Sequence, residues 1–173
     1  MLSGHLQGRL LSFLSKLIQP QCILEIGTYT GYSALCLAEG LKEGGKLISI
    51  DPNEETNFFA TKFIQNSSFK NKIELKQGYA QNIIPTLTQS FDIVFIDADK
   101  KNYALYYDLV IDKVNSGGLI IADNVLWSGK ILDKNKDEDT QAIHDFNVKI
   151  AEDKRLSPLL LPVRDGLLLM RKN

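Results

Sequence analysis

Two short acidic runs carry the clearest chemistry. Asp97-Ala98-Asp99-Lys100 follows the apolar run Phe91–Ile96, and Asp123-Asn124 follows Gly118–Ala122. Two carboxylates and an amide oxygen, brought together, make an incomplete shell of hard oxygen donors. Such a shell suits Mg²⁺ first, or Ca²⁺ or Mn²⁺, with water or substrate completing it. A single aspartate at a strand end is more often a cap or a turn residue, so the reading depends on the two runs being spatial neighbours. Lys100, three residues after Asp97, is by itself a solvated lysine. Beside a cation-held hydroxyl it can act as general base. Trp127 could pack in the core or wall a substrate pocket, and the loop-like Ser128-Gly129 after it favour the second. His5 and His144 lack ligand spacing. Cys22 and Cys36 fit neither a disulfide framework nor a zinc site and read as small buried hydrophobes.

A second constellation lies nearer the N-terminus. After the apolar run Cys22–Ile26 come Gly27 and Gly31. Gly27 lets backbone approach a ligand, and Gly31 opens a helix whose free N–H groups favour an anion. Asp51 ends the next apolar run, where a carboxylate can accept both hydroxyls of a ribose. A dinucleotide site needs G-x-G-x-x-G. Here the spacing is G-x-x-x-G, with Thr28 and Tyr29 where a second glycine would be needed. A nucleoside ligand with a small carboxylate and no pyrophosphate fits better, and S-adenosylmethionine is such a ligand. A nicotinamide dehydrogenase ranks last for the same reason.

The elements that must position these residues follow from periodicity. Helical spacing of Leu10, Phe13, Leu14, Leu17 and Ile18 predicts a first helix. Strands are expected at Cys22–Ile26, Lys46–Ile50, Lys72–Lys76, Phe91–Ile96 and Gly118–Ala122. Helices are expected between them: Ala34 to Leu41, stopping near Gly44-Gly45; Asn53 to Gln65; Gln81 to Leu87; and Tyr103 to Val114. Alternating strands and helices imply a parallel sheet covered on both faces, with ligands outside the strands' carboxyl ends. Leu159–Val163 and Leu167–Met170 around Asp165-Gly166 predict an antiparallel hairpin at the sheet edge. Asp133–Thr140 reads as a mobile loop, with Asp139 or Thr140 capping a helix through Ile150. The 173 residues make one domain the expectation, and a formal charge of −1 argues against binding nucleic acid or anionic lipid by bulk charge. No apolar run approaches a membrane span, and Met1–Leu11 has no apolar core of a leader. A reduced, cytoplasmic setting is expected.

Five stretches together resemble the metal-dependent class I O-methyltransferases of the caffeoyl-CoA and catechol type. They are LEIGTYTGYSAL (24–35), ISIDPN (48–53), FDIVFIDADKKNY (91–103), GGLIIADNVLWSG (117–129) and LPVRDGLLLMRK (161–172). DADKxNY with DNxLWxG is nearer the caffeoyl-CoA branch and its bacterial relatives than the animal catechol enzymes. The resemblance implies an α/β, Rossmann-like, doubly wound and mostly parallel seven-stranded sheet with an antiparallel C-terminal edge pair. It implies S-adenosylmethionine as cofactor, a divalent cation held by Asp97, Asp123 and Asn124, and Lys100 as base. Glu25, Gly27, Thr28, Tyr29 and Ser33 would surround the methionine half, with Ser33 near its carboxylate. Asp51 would hold the ribose and Ala80 lie by the adenine. Asp97 would also meet the methionine amino group and the substrate, beside Lys100 and Trp127. The expected acceptor is a small aromatic diol and the expected assembly a homodimer. A hydroxylated uridine in tRNA is the second acceptor class, with Lys70, Lys72 and Lys76 as a local basic patch. A cofactor-binding module with lost or reduced catalysis is the third reading. Two departures stand out. Family members carry a helical segment ahead of the point where this chain starts, so residues 1–173 are expected to form the methyltransferase domain without it, which bears on the acceptor pocket. The catechol enzymes also place a glutamate on the acceptor near the position of Leu159.

Overall fold

Runs that are apolar at nearly every position belong to strands buried on both faces, and the central strands are of this kind. The computed structural model describes residues 4–173. Met1, Leu2 and Ser3, the start of the stretch read above for a leader, lie outside the described residues. Helix α1 (Gly4–Ile18) precedes β1 (Cys22–Ile26), α2 (Tyr32–Ala38), β2 (Lys46–Asp51), α3 (Glu54–Gln65) and β3 (Ile73–Gln77). Then follow α4 (Ala80–Ile83), β4 (Phe91–Ile96), α5 (Tyr103–Val110), β5 (Val114–Asp123), α6 (Glu138–Glu152), β6 (Leu156–Leu161) and β7 (Leu167–Lys172). The sheet order is β3-β2-β1-β4-β5-β7-β6. Neighbours from β3 to β5 run parallel, and β7 is antiparallel to both β5 and β6. The seven-stranded sheet with its antiparallel edge pair is as expected.

Side chains alternate across the sheet. Leu24, Ile26, Ile48, Ile50, Val94 and Ile96 face a core shared with Tyr103, Tyr107 and Phe146. Ile23, Leu47, Ile93 and Phe95 face the opposite core with Leu11, Leu37 and Ile64. Among the described residues no helix is long and apolar enough to cross a membrane.

Several boundaries depart from expectation for local reasons. Helix α4 ends at Ile83 and tightens into a 3₁₀ turn at Ile84–Thr86, because Pro85 has no N–H to continue the α-helical hydrogen-bond ladder. Helix α5 ends at Val110, and β5 begins at Val114 rather than Gly118. Strand β6 begins at Leu156, three residues before the predicted Leu159. The cap of α6 is Asp137, whose Oδ1 accepts the Thr140 N–H at 2.8 Å. Asp139 and Thr140 therefore lie within the first turn, where Glu138 and Asp139 complement the helix dipole. Helix α2 stops at Ala38, well before Gly44. The first helix forms, but its buried face is Gln7, Gly8, Leu11, Ser12 and Ser15, while Phe13 and Leu17 stay exposed. Small and polar residues allow this close docking: a Cβ on Gly40 would stand 2.1 Å from the Ser15 carbonyl carbon.

Candidate active site

The strand register sets the site. Ile26 pairs with Ile50 and with Ile96, and Ile96 pairs with Ala122. The next residue on each strand is therefore Gly27, Asp51, Asp97 or Asp123, in one row at the carboxyl edge. The sheet order reverses between β1 and β4, the place where α/β sheets bind ligands. A cleft of about 760 Å³ opens there, lined from Gly27, Thr28 and Asp51 at one end to Asn124 and Trp127 at the other.

Backbone builds the first end. Gly27 has φ 99°, and a Cβ there would stand 2.0 Å from the Asp97 carbonyl oxygen. Only glycine lets β1 and β4 finish this close together. The ladder continues past the strands through Gly27 N–H to Ile50 O and Asp97 N–H to Ile26 O, both 2.9 Å. Asp51 Oδ2 accepts the N–H groups of Thr28 and Tyr29, each at 3.0 Å, and its Oδ1 accepts that of Asn53 at 2.8 Å. These bonds fix the carboxylate's orientation. Ser33, in the first turn of α2, and Ala80, at the start of α4, also line the cleft. So does Tyr29, held at φ 48°. Glu25 does not reach the cleft wall. It is fully buried beneath it, taking the Ser49 hydroxyl, which also bonds Thr28 Oγ1 at 2.6 Å. Burial pushes the Glu25 carboxyl up to about 7, against the lowering effect of the Ser33 and Ser49 hydroxyls, with Asp97 and Asp51 adding repulsion. Its Oε1 has no hydrogen-bond partner.

Charged side chains build the other end. Lys100 Nζ donates to Asp97 Oδ1 at 3.2 Å, Asn124 Oδ1 at 3.3 Å and the Tyr103 hydroxyl at 2.5 Å. Its side chain is only 10% exposed, so this is no solvated surface lysine. The Tyr103 hydroxyl donates on to the Asp123 carbonyl at 3.0 Å. Lys100 Nζ also lies 4.6 Å from the Tyr103 ring centroid and 5.9 Å from that of Trp127. Asp123 is buried just under the cleft; burial and the nearby Asp97 charge raise its carboxyl above the ordinary range. Asn124, Trp127 and Ser128 all have positive φ, at 60°, 48° and 55°, a costly backbone for non-glycine residues. The β6–β7 turn braces it. Leu126 N–H donates to Asp165 O at 2.9 Å and Ser128 N–H to Asp165 Oδ1 at 2.5 Å.

These donors fit a hard divalent cation. The Asp97 and Asn124 oxygens converge on one nitrogen, and Asp123 beside them carries charge that its burial leaves poorly solvated. Among the described residues no three His, Cys, Asp or Glu side chains form a metal cluster. Asn124 would add its amide oxygen as the third donor.

Asp97, Lys100, Asn124 and Trp127 thus meet at one wall, with Asp123 behind them. Gly27, Thr28, Tyr29, Ser33, Asp51 and Ala80 meet at the other, with Glu25 behind. Leu159 is exposed on edge strand β6 and does not line the cleft. Sequence reasoning missed Tyr103, Asp165 and Gln7, whose Nε2 donates to Asp123 Oδ2 at 2.5 Å. Asp165 was legible as a turn residue, though not as a brace for Ser128. Tyr103 was legible only as an apolar helix position.

A family model described as O-methyltransferase matches residues 1–173. Caffeoyl-CoA O-methyltransferase 5 of Nicotiana tabacum is 35% identical over 179 residues, covering 96% of this chain and 75% of the relative. The O-methyltransferase from Bacillus cereus, solved in complex with SAH, superposes with a TM-score of 0.93 at 30% identity, covering 98% of this chain and 82% of that one. The O-methyltransferase TomG from Streptomyces achromogenes, involved in tomaymycin synthesis and solved in complex with SAM, gives a TM-score of 0.94 at 28% identity, covering 99% and 82%.

Proposed function

The chain belongs to this O-methyltransferase family, and from that premise we propose that it moves a methyl group from S-adenosylmethionine to a hydroxyl of a catechol-like aromatic acceptor, assisted by a divalent cation. Residues 1–173 act as one methyltransferase domain in this reading. The observation that carries it is the meeting of Asp97 and Asn124 oxygens on Lys100 Nζ, in the same cleft as the braced Asp51 carboxylate.

Asp51 holds the ribose hydroxyls, and Ala80 lies beside the adenine. Gly27, Thr28, Tyr29 and Ser33 enclose the methionine half, with Glu25 beneath them. Solved relatives carrying SAM or SAH support that cofactor. Asp97, Asp123 and Asn124 hold the cation, Mg²⁺ first among the candidates. A bound divalent cation supplies Lewis acidity, which makes an acceptor hydroxyl easier to ionise. Lys100 Nζ, in its neutral amine form, receives the proton that the hydroxyl releases. Trp127 forms one wall for the acceptor ring. The acceptor oxygen forms its bond to the methyl carbon as the carbon–sulfur bond breaks, and no covalent enzyme intermediate is required. Positioning and charge neutralisation therefore carry the rate.

A tRNA acceptor finds little support. Lys76 of the candidate basic patch is paired with Glu74 at 2.7 Å, and the chain's formal charge is −1. Incubation with methyl-labelled S-adenosylmethionine and Mg²⁺, with a caffeoyl-type catechol or tRNA bearing hydroxylated uridine, separates the readings. Label on the catechol is expected. Label on the tRNA alone overturns the acceptor assignment. Calorimetric cofactor binding with label on neither acceptor points to a binding module.

A further inference from the structure

We propose that Gln7 is a positioning residue for the cation site, its side-chain amide holding the Asp123 carboxylate in the orientation that receives the ion. The inference deepens the metal-dependent reading above and rests on it.

Gln7 and Asp123 are 116 residues apart in the chain, yet Gln7 is fully buried and its Nε2 donates to Asp123 Oδ2 at 2.5 Å. The other carboxylate oxygen, Oδ1, accepts the Asn124 backbone N–H at 2.7 Å. Each oxygen thus has one donor, and the carboxylate cannot rotate without breaking one of the two bonds. About two lone pairs remain for a further partner. The donor's neutrality matters. A lysine or arginine here would form an ion pair and compete with a cation for the same charge. An amide orients the carboxylate and leaves its charge intact, as hydrogen bonds behind metal ligands do elsewhere.

Holding α1 in place does not require this bond. A Cβ on Gly8 would stand 2.6 Å from the Tyr32 hydroxyl, so α1 already lies directly against α2. Ser15 Oγ donates to Leu37 O at 2.6 Å, and Arg9 and Lys16 both reach Glu39. Gln7 Oε1, by contrast, is buried with no hydrogen-bond partner, which is unfavourable for packing. For helix docking alone, a methionine of similar size would serve as well. What glutamine adds is the donor aimed at Asp123.

The test compares Gln7→Met with wild type. Mn²⁺ binding is followed by the loss of the free-ion paramagnetic resonance signal, and thermal unfolding is measured without metal. Gln7→Met is expected to weaken Mn²⁺ binding by about 10- to 100-fold and to raise the Mg²⁺ concentration for half-activation by the same factor. The KM for S-adenosylmethionine should hold, and the metal-free protein should still unfold cooperatively, at a temperature lowered by the lost Asp123 bond. Ser12→Ala, on the same helix face, removes a 2.7 Å bond to Glu39. It should lower the unfolding temperature without changing Mn²⁺ affinity. If Gln7→Met does not fold, wild-type protein still decides the matter: the Gln7 side-chain amide resonance should shift on Mg²⁺ addition with the midpoint of metal binding. Equal Mn²⁺ affinity in wild type and Gln7→Met, or an unmoved Gln7 resonance, overturns the role of Gln7 alone. Failure of wild type to take up Mn²⁺ overturns the metal reading itself, and this inference with it.

Discussion

Between β1 and β2, the groups facing the cleft are backbone amides and one carboxylate, Asp51, already held by three N–H donors. Beyond β4 and β5 they are polar and charged side chains, Lys100 against Asp97 and Asn124. The first region is local: Gly27, Thr28, Tyr29 and Asn53 lie on the turns that follow β1 and β2. The second is assembled from afar, by Gln7 of α1 and the turn at Asp165. Holding a large cofactor takes shape and a few fixed acceptors. Transferring a group requires concentrated charge, and concentrated charge needs long-range support to stay in place.

Changes at the charged end should strike turnover hardest. Asp97→Ala is expected to lower kcat by about 10³-fold or more, equivalent to about 4 kcal/mol of transition-state stabilisation. Labelled methyl transfer reads this directly, and a loss under ten-fold would remove Asp97 from the chemistry. Gly27→Ala tests the seam between the two regions. Its Cβ would collide with the Asp97 carbonyl at a φ of 99°, so a loss of about 3 kcal/mol or more in unfolding free energy is expected.

Glu25 offers a pH test of the buried layer. The folded chain holds its carboxyl proton up to about pH 7, whereas the ordinary value is 4.5. Between those values the folded state binds the extra proton, so stability falls as pH rises through the window. The full cost, about 3 kcal/mol, is present above pH 7 and absent below about 4.5. Denaturant titrations at both ends of the window should show this contribution in wild type and its absence in Glu25→Gln; parallel pH profiles would contradict it. The smallest effect is expected at the backbone-built end. Asp51→Ala should weaken S-adenosylmethionine binding by about 2 kcal/mol, the scale of two lost hydrogen bonds, with kcat at saturation little changed. A large fall in kcat with unchanged cofactor affinity would reverse the contrast between the regions.

Most of the architecture was legible in the sequence because strand and helix periods differ and the central strands are uniformly apolar. Asp97, Asp123 and Asn124 could be picked out because each immediately follows such a strand, and register does the rest. The missing parts came through tertiary contact. The apolar stripe of α1 points to Phe13 and Leu17, yet the helix docks on Gly8, Ser12 and Ser15. Nothing in the local pattern of Gln7 links it to Asp123. Glycine's small size does give a trace, since Gly8 and Gly40 mark where the helices meet, but glycine alone also marks turns. Boundary shifts at α4 and α6 trace to Pro85 and to Asp137 as the cap.

Metal removal tests the chemistry most directly. The protein is stripped with a chelator, supplied with labelled S-adenosylmethionine and a catechol, and then titrated with Mg²⁺. Methyl transfer should vanish in chelator and return in proportion to occupancy of the site proposed at Asp97, Asp123 and Asn124. Undiminished turnover by the stripped protein would contradict the role assigned to those three side chains.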